Sequence, residues 1–117
     1  MKIGEVSKKY NVSIESLRYY EQEGLLGTIV KNKSGIREYS DDDLKKIEFI
    51  LCMRNAEMPI QTLKKYLKLY YSDNSSKEDK KEIINNELNR INDKIKNLKN
   101  AKEILEGKID LINQGKI

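Results

Sequence analysis

The side chains of this sequence best suited to hold an anion fall in two places. Arg18 and Tyr19 are adjacent, and Lys31, Lys33, Arg37 and Tyr39 crowd into the stretch 31–39. A guanidinium is permanently charged and offers a fork of N–H donors. A phenol donates from a rigid ring. Both suit phosphate oxygens. Just before the first pair stand Ser13, Glu15 and Ser16, short polar groups able to meet base edges or phosphates. The other chemically distinctive residue is Cys52, the single cysteine, whose thiolate would attack electrophiles. There is no histidine, so one thiol without imidazole leaves a transition-metal site within one chain unexpected, and no cofactor is expected either. Acid–base catalysis would fall to carboxylates or lysines.

The elements that must position these groups are mostly helices. Ile3, Val6 and Tyr10 recur at helical spacing over 3–10. Asn11-Val12 reads as a turn, and Ser13 as the N-cap of a second helix from Ile14 to about Glu23, stopped by Gly24. The periodicity then changes. Thr28–Val30 and Ile36–Tyr39 read as two short strands around the turn 31–35, making a hairpin with a basic tip. Ser40 and Asp43 have the spacing of a reciprocal cap for a third helix running to about Asn55, with three aspartates in its first turn. Its segment 49–53 is apolar almost all round and is expected to be buried. Pro59 marks the start of a fourth helix, with Leu63, Tyr66, Leu67 and Tyr70 on one face. Residues 73–76 read as a polar joint with another N-cap.

The remainder differs. Ile84, Leu88, Ile91, Ile95, Leu98, Leu105, Ile109 and Ile112 follow steps of four and three, broken at Lys102. This is a heptad seam of about four repeats on a helix about 50 Å long. The other faces are Lys, Glu and Asn, a solvated surface rather than a nucleic-acid patch. No second long helix exists to cover the seam, so the same helix of a second chain is the economical partner. Gly107 should weaken the last turns by about 1 kcal/mol and let them fray. The fold class expected is mainly α: a winged helix-turn-helix, with a helix pair and a long C-terminal dimerisation helix following. The domains expected are 1–72 and 75–115.

Composition sets wide limits. The chain has 117 residues, with 38% hydrophobic and 36% charged. That is enough for a small core, and burial against a second copy would help it. Lys and Arg number 23 against 19 Asp and Glu, a net charge of +4 that permits nucleic-acid binding without demonstrating it. A lone cysteine forms no intrachain disulfide, the N-terminus does not read as a signal peptide, and no apolar run reaches membrane-spanning length. A cytoplasmic location with no membrane partner is expected.

The motifs resemble a known family. The runs Ile3-Gly4-Glu5-Val6-Ser7, Val12-Ser13, Leu17-Arg18-Tyr19-Tyr20-Glu21, Gly24-Leu25-Leu26 and Gly35-Ile36-Arg37-Glu38-Tyr39-Ser40, then Asp43-Leu44, are similar to the DNA-binding domain of the MerR regulators over roughly residues 1–70. The heptad helix resembles the antiparallel dimerisation helix of that family. The family's wing usually reads Gly-Tyr-Arg. Here Ile36 replaces the tyrosine, so Arg37 and Tyr39, but not position 36, carry over as wing contacts. The resemblance implies a homodimer on a palindromic operator in double-stranded DNA inside a promoter, bending and untwisting it. RNA polymerase would then be affected indirectly, through the realigned promoter. The sequence is expected to carry no effector domain or metal-binding cysteines after the helix. The stretches 34–39, 47–50 and 52–56 are similar to a short branch of the family linked to aldehyde and other thiol-reactive stress, whose cysteine falls at Cys52. That implies a sensor. The residues alone favour a small core side chain there, with Glu48 one turn back and the helix C-terminus adding negative potential. Three other readings stay open: a plain repressor, a coiled-coil interaction module, and an enzyme acting through Cys52.

Overall fold

The computed structural model describes residues 1–72 and 76–117. It forms two compact units, Met1–Lys80 and Lys81–Ile117. Five helices follow in order: α1 (Ile3–Tyr10), α2 (Ile14–Gln22), α3 (Asp41–Asn55), α4 (Ile60–Tyr71) and α5 (Lys77–Asn113). The expected polar joint lies mostly outside the described residues. Its last member, Ser76, accepts a hydrogen bond from the Asp79 amide (3.1 Å), as an N-cap does.

Local chemistry explains most boundaries of the first unit. α1 ends at Asn11, in the left-handed conformation (φ 51°) that Asn tolerates better than most residues. The Ser7 hydroxyl donates to the Val12 carbonyl across this turn (2.5 Å). α2 starts on Ser13, whose Oγ accepts from the Ser16 amide. The chain leaves α2 through Gly24 at φ 79°. α3 starts on the reciprocal Ser40–Asp43 cap expected from the sequence. Pro59 takes the N-cap of α4, where its missing N–H costs nothing.

These helices close over one core. Val6 of α1, Leu17 and Tyr20 of α2, Leu44, Ile47 and Ile50 of α3, and Leu63 and Leu67 of α4 meet Leu25, Leu26, Ile29, Tyr39 and Met58 from the connections. Polar clips add to it. The Tyr10 hydroxyl donates to Glu48 Oε1 (2.7 Å), joining α1 to α3; burial and this carboxylate push the phenol up to about 12. Lys64 pairs with Glu23, joining α4 to the end of α2. Tyr71 donates to the Leu25 carbonyl (3.0 Å), and its ring lies 3.5 Å from where a Cβ on Gly27 (φ 67°) would be.

The hairpin forms with less regular structure than expected. Neither 28–30 nor 36–39 is a strand. One antiparallel bridge joins Lys31 to Arg37. Its neighbours are Asn32 N–H to Ile36 O (2.7 Å) and Glu38 N–H to Val30 O (2.8 Å). Asn32 Oδ1 supplies what a longer ladder would have given, accepting from the amides of Ser34 and Ile36. The returning arm finds a further partner at the chain start, where the Tyr39 amide donates to the Met1 carbonyl (2.7 Å).

The second unit is the α5 stretch from Lys81 and the residues that close it. The helix runs through Gly107 to Asn113. It closes with Gly115 at φ 72°, Gly115 N–H to Ile112 O and Lys116 N–H to Leu111 O, the paired bonds of a Schellman ending.

Candidate nucleic-acid interface

The residues picked out for DNA contact lie on α2 and on the hairpin, which is the wing of the unit. α2 buries Leu17 and Tyr20 and turns Arg18 and Tyr19 outward, because one apolar stripe is all that the core needs from a nine-residue helix. Ser13 and Glu15 are exposed and Ser16 is half-buried. Ser13 is already engaged: besides capping, its hydroxyl donates to Ser16 Oγ (2.9 Å). Lys31, Lys33 and Arg37 are exposed on the wing.

The geometry joins the two elements at one place. Arg18, Glu21, Gln22 and Arg37 surround a single surface depression between α2 and the wing. Within it Arg37 Nε donates to Glu21 Oε1 at 2.9 Å. Glu21 had drawn attention in the sequence only as part of the motif, since nothing local pairs residues sixteen apart. A second depression, lined by Glu15, Ser16, Tyr19, Tyr20, Arg54 and Ile60, brings the end of α3 beside α2. Nothing local in the sequence marks Arg54 for this place. Its Nη1 donates to the Met58 carbonyl (2.7 Å), fixing it next to Glu15 and Tyr19.

Tyr39 departs from the expectation of a wing contact. Its side chain is 3% exposed and belongs to the core, and its hydroxyl is buried without a hydrogen-bond partner. One residue later the chain caps α3, so the arm dives inward and carries the ring with it. Burial raises its pKa, as does the nearby Glu21 carboxylate, so the phenol stays neutral.

Cys52 corrects the other expectation. Of the run 49–53 only Ile50 is buried. Phe49, Leu51 and Met53 are half-buried, and Cys52 is exposed. α3 reaches the core through Leu44, Ile47 and Ile50, at helical spacing, and Cys52 lies off that stripe. It is not a core residue of this chain. Along α5, Ile84 and Ile91 are half-buried, whereas Leu88, Ile95, Leu98, Leu105 and Ile109 are exposed. Among the described residues no group of three or more His, Cys, Asp or Glu is arranged to hold a metal ion, and no helix is long and apolar enough to cross a membrane.

Comparison with known proteins places the fold in a family. Residues 1–70 match the family model for MerR HTH family regulatory proteins, and residues 44–108 match the model described as MerR, DNA binding. The transcriptional regulator AdhR of Bacillus subtilis is 40% identical over 91 residues, which are 78% of this chain and 65% of that protein. The chain thus spans a little under two thirds of that relative. A solved MerR family transcriptional regulator from Listeria monocytogenes is 33% identical with a TM-score of 0.90, over 97% of this chain and 86% of the other. HiNmlR, a MerR family regulator lacking the sensor domain and solved bound to promoter DNA, shares the fold. Its TM-score is 0.86 at 23% identity, over 98% of this chain and 91% of that one.

Proposed function

The chain belongs to the MerR family of helix-turn-helix regulatory proteins, and from that premise we propose how it regulates: as a homodimer seated on a palindromic operator within a promoter. The class itself is a DNA-binding transcriptional regulator, and the matched relatives are regulators rather than enzymes. In the proposed mechanism α2 of each protomer enters a major groove and places Ser13, Glu15 and Ser16 towards base edges. Arg18, Tyr19, Lys31, Lys33 and Arg37 hold flanking phosphates. These backbone contacts supply the energy to bend and untwist the promoter, so that polymerase is affected through the DNA. The α5 seam through Ile84, Leu88, Ile91, Ile95, Leu98, Leu105 and Ile109 joins two copies antiparallel and sets the distance between reading heads. The single observation that carries this reading is the depression shared by Arg18 of α2 and Arg37 of the wing, two guanidiniums on neighbouring elements facing one site. Such a regulator works in the cytoplasm, where its promoter is.

The exposure of Cys52 favours a further layer, in which its thiolate takes up an aldehyde or similar electrophile and the adduct changes promoter output. The 40% identity to AdhR supports placing the chain in the aldehyde-linked branch.

The test of the DNA reading is a mobility shift on the adjacent promoter over a series of salt concentrations. Arg18→Ala and Arg37→Ala should each weaken binding to all sequences and flatten the slope of log affinity against log salt by roughly one unit, the loss of one phosphate contact. Unchanged affinity in both variants would remove this face from the interface.

A further inference from the structure

The contact between Arg37 and Glu21 has two opposite meanings for DNA binding. A carboxylate beside a guanidinium either competes with phosphate or aims the guanidinium at it. The geometry points to the second: Glu21 is a positioning residue that holds the wing arginine in its DNA-binding pose before DNA arrives. This rests on the reading of Arg37 as a phosphate contact.

Three observations carry it. Glu21 engages Arg37 through Nε alone, at 2.9 Å. No hydrogen bond among the described residues takes the two terminal Nη groups, so the end-on fork stays available for a phosphate. A competing anion would take that fork. Next, the carboxylate is the more sheltered partner, 20% exposed against 45% for Arg37, so it braces the arginine from the protein side. Last, Arg18 lines the same depression. Two guanidiniums against one carboxylate leave it net positive, and a phosphate is still attracted. Glu21 stands on α2 and Arg37 on the wing, so the pair also ties the wing to the reading helix. Immobilising a long side chain ahead of binding removes an ordering cost worth roughly two- to tenfold in affinity.

The experiment is a double-mutant cycle on promoter DNA with Glu21→Ala, Glu21→Gln, Arg37→Ala and Glu21→Ala/Arg37→Ala. Glu21→Ala should lower affinity about two- to tenfold with the salt slope unchanged, because the phosphate contact survives at greater entropic cost. Glu21→Gln, whose amide oxygen still accepts from Nε, should retain most of the affinity. In the Arg37→Ala background, Glu21→Ala should do nothing further. Melting temperature should not move in any of them, since exposed ion pairs contribute little to stability. Tighter binding or a steeper salt slope in Glu21→Ala would make the carboxylate a competitor and overturn the proposal. An equal loss with and without Arg37 would do so too, because it would show Glu21 acting elsewhere. Full affinity in Arg37→Ala would remove the wing contact itself, and the positioning role with it.

Discussion

The two units of the chain solve burial in opposite ways. Residues 1–80 enclose a core of Leu, Ile, Val, Met and Tyr side chains drawn from four helices and the wing. Fully burying one such aliphatic side chain stabilises by about 1.5–3 kcal/mol, so this unit has its own reason to fold. Residues 81–117 carry nearly as regular an apolar pattern, yet Leu98 is 63% exposed and Leu105 65%. An apolar stripe left mostly exposed to water contributes little to the folding of its own chain. The contrast separates two kinds of information that look alike in a sequence. One apolar pattern specifies the chain's own interior, and the other is left largely uncovered by it.

Leu98→Asp should sharpen that contrast most. If the seam joins two copies, the variant places an unpaired carboxylate in each half of the interface, at a cost of about 3–5 kcal/mol. Sedimentation should show wild-type dimers and variant monomers, while circular dichroism shows the N-terminal helices of the variant intact. A variant that remains dimeric, or a wild type that is monomeric, would erase the distinction between the units.

How much of this could be read from the sequence follows the same division. Boundaries set by neighbours in the chain were legible: Ser13, Ser40 with Asp43, and Gly24 each act within one turn of themselves. The long helix that carries the heptad pattern was legible because such a pattern needs only its own helix. What failed depends on distant partners. Tyr39 shares a motif with Arg37 but is drawn into the core by the start of α3 and by Met1, whose carbonyl takes its amide. The alternation of the wing arms suggests strands, but with one bridge between them they lack the ladder that would make them so. Glu21 and Arg54 acquire their neighbours only when the chain folds. α5 continues through Gly107, since about 1 kcal/mol of propensity does not end a helix already propagated over many turns. The run 49–53 shows the limit of apolar composition itself, since five such residues in a row say nothing about which of them a single chain covers.

A second measurement tests whether the first unit is braced as one body. Tyr71→Phe keeps the ring beside Gly27 and removes only the hydroxyl that donates to the Leu25 carbonyl. The expected loss is about 0.5–1.5 kcal/mol, seen as a lower denaturant midpoint that does not vary with protein concentration. Concentration independence distinguishes it from Leu98→Asp, whose effect must weaken as concentration rises. Amides of the segment after α2 should exchange faster in this variant. Unchanged stability would mean that the base of the wing does not depend on α4.

Cys52→Ser should have the smallest effect on the fold and the most specific effect on function. An exposed side chain on the outer face of α3 contributes little packing, so its replacement should change stability by no more than about 0.5 kcal/mol. That expectation differs from the one for a core cysteine, where a buried hydroxyl without partners would cost about 1–3 kcal/mol. The two are separable by melting the variant. Operator affinity without electrophile should equal that of the wild type, because Cys52 belongs to neither depression beside α2. Labelling of the native protein by a thiol reagent should be rapid and should stop altogether in the variant. If Cys52 senses electrophiles, a promoter reporter should respond to an aldehyde in wild-type cells and not in cells carrying Cys52→Ser. An equal response in both would end the sensing role, and the exposed thiol would be chemically available but unused. Slow labelling of the native dimer, together with rapid labelling of the Leu98→Asp monomer, would have a different meaning. It would show that the second chain covers the face of α3 that the first leaves open, and that the two patterns of burial meet at this residue.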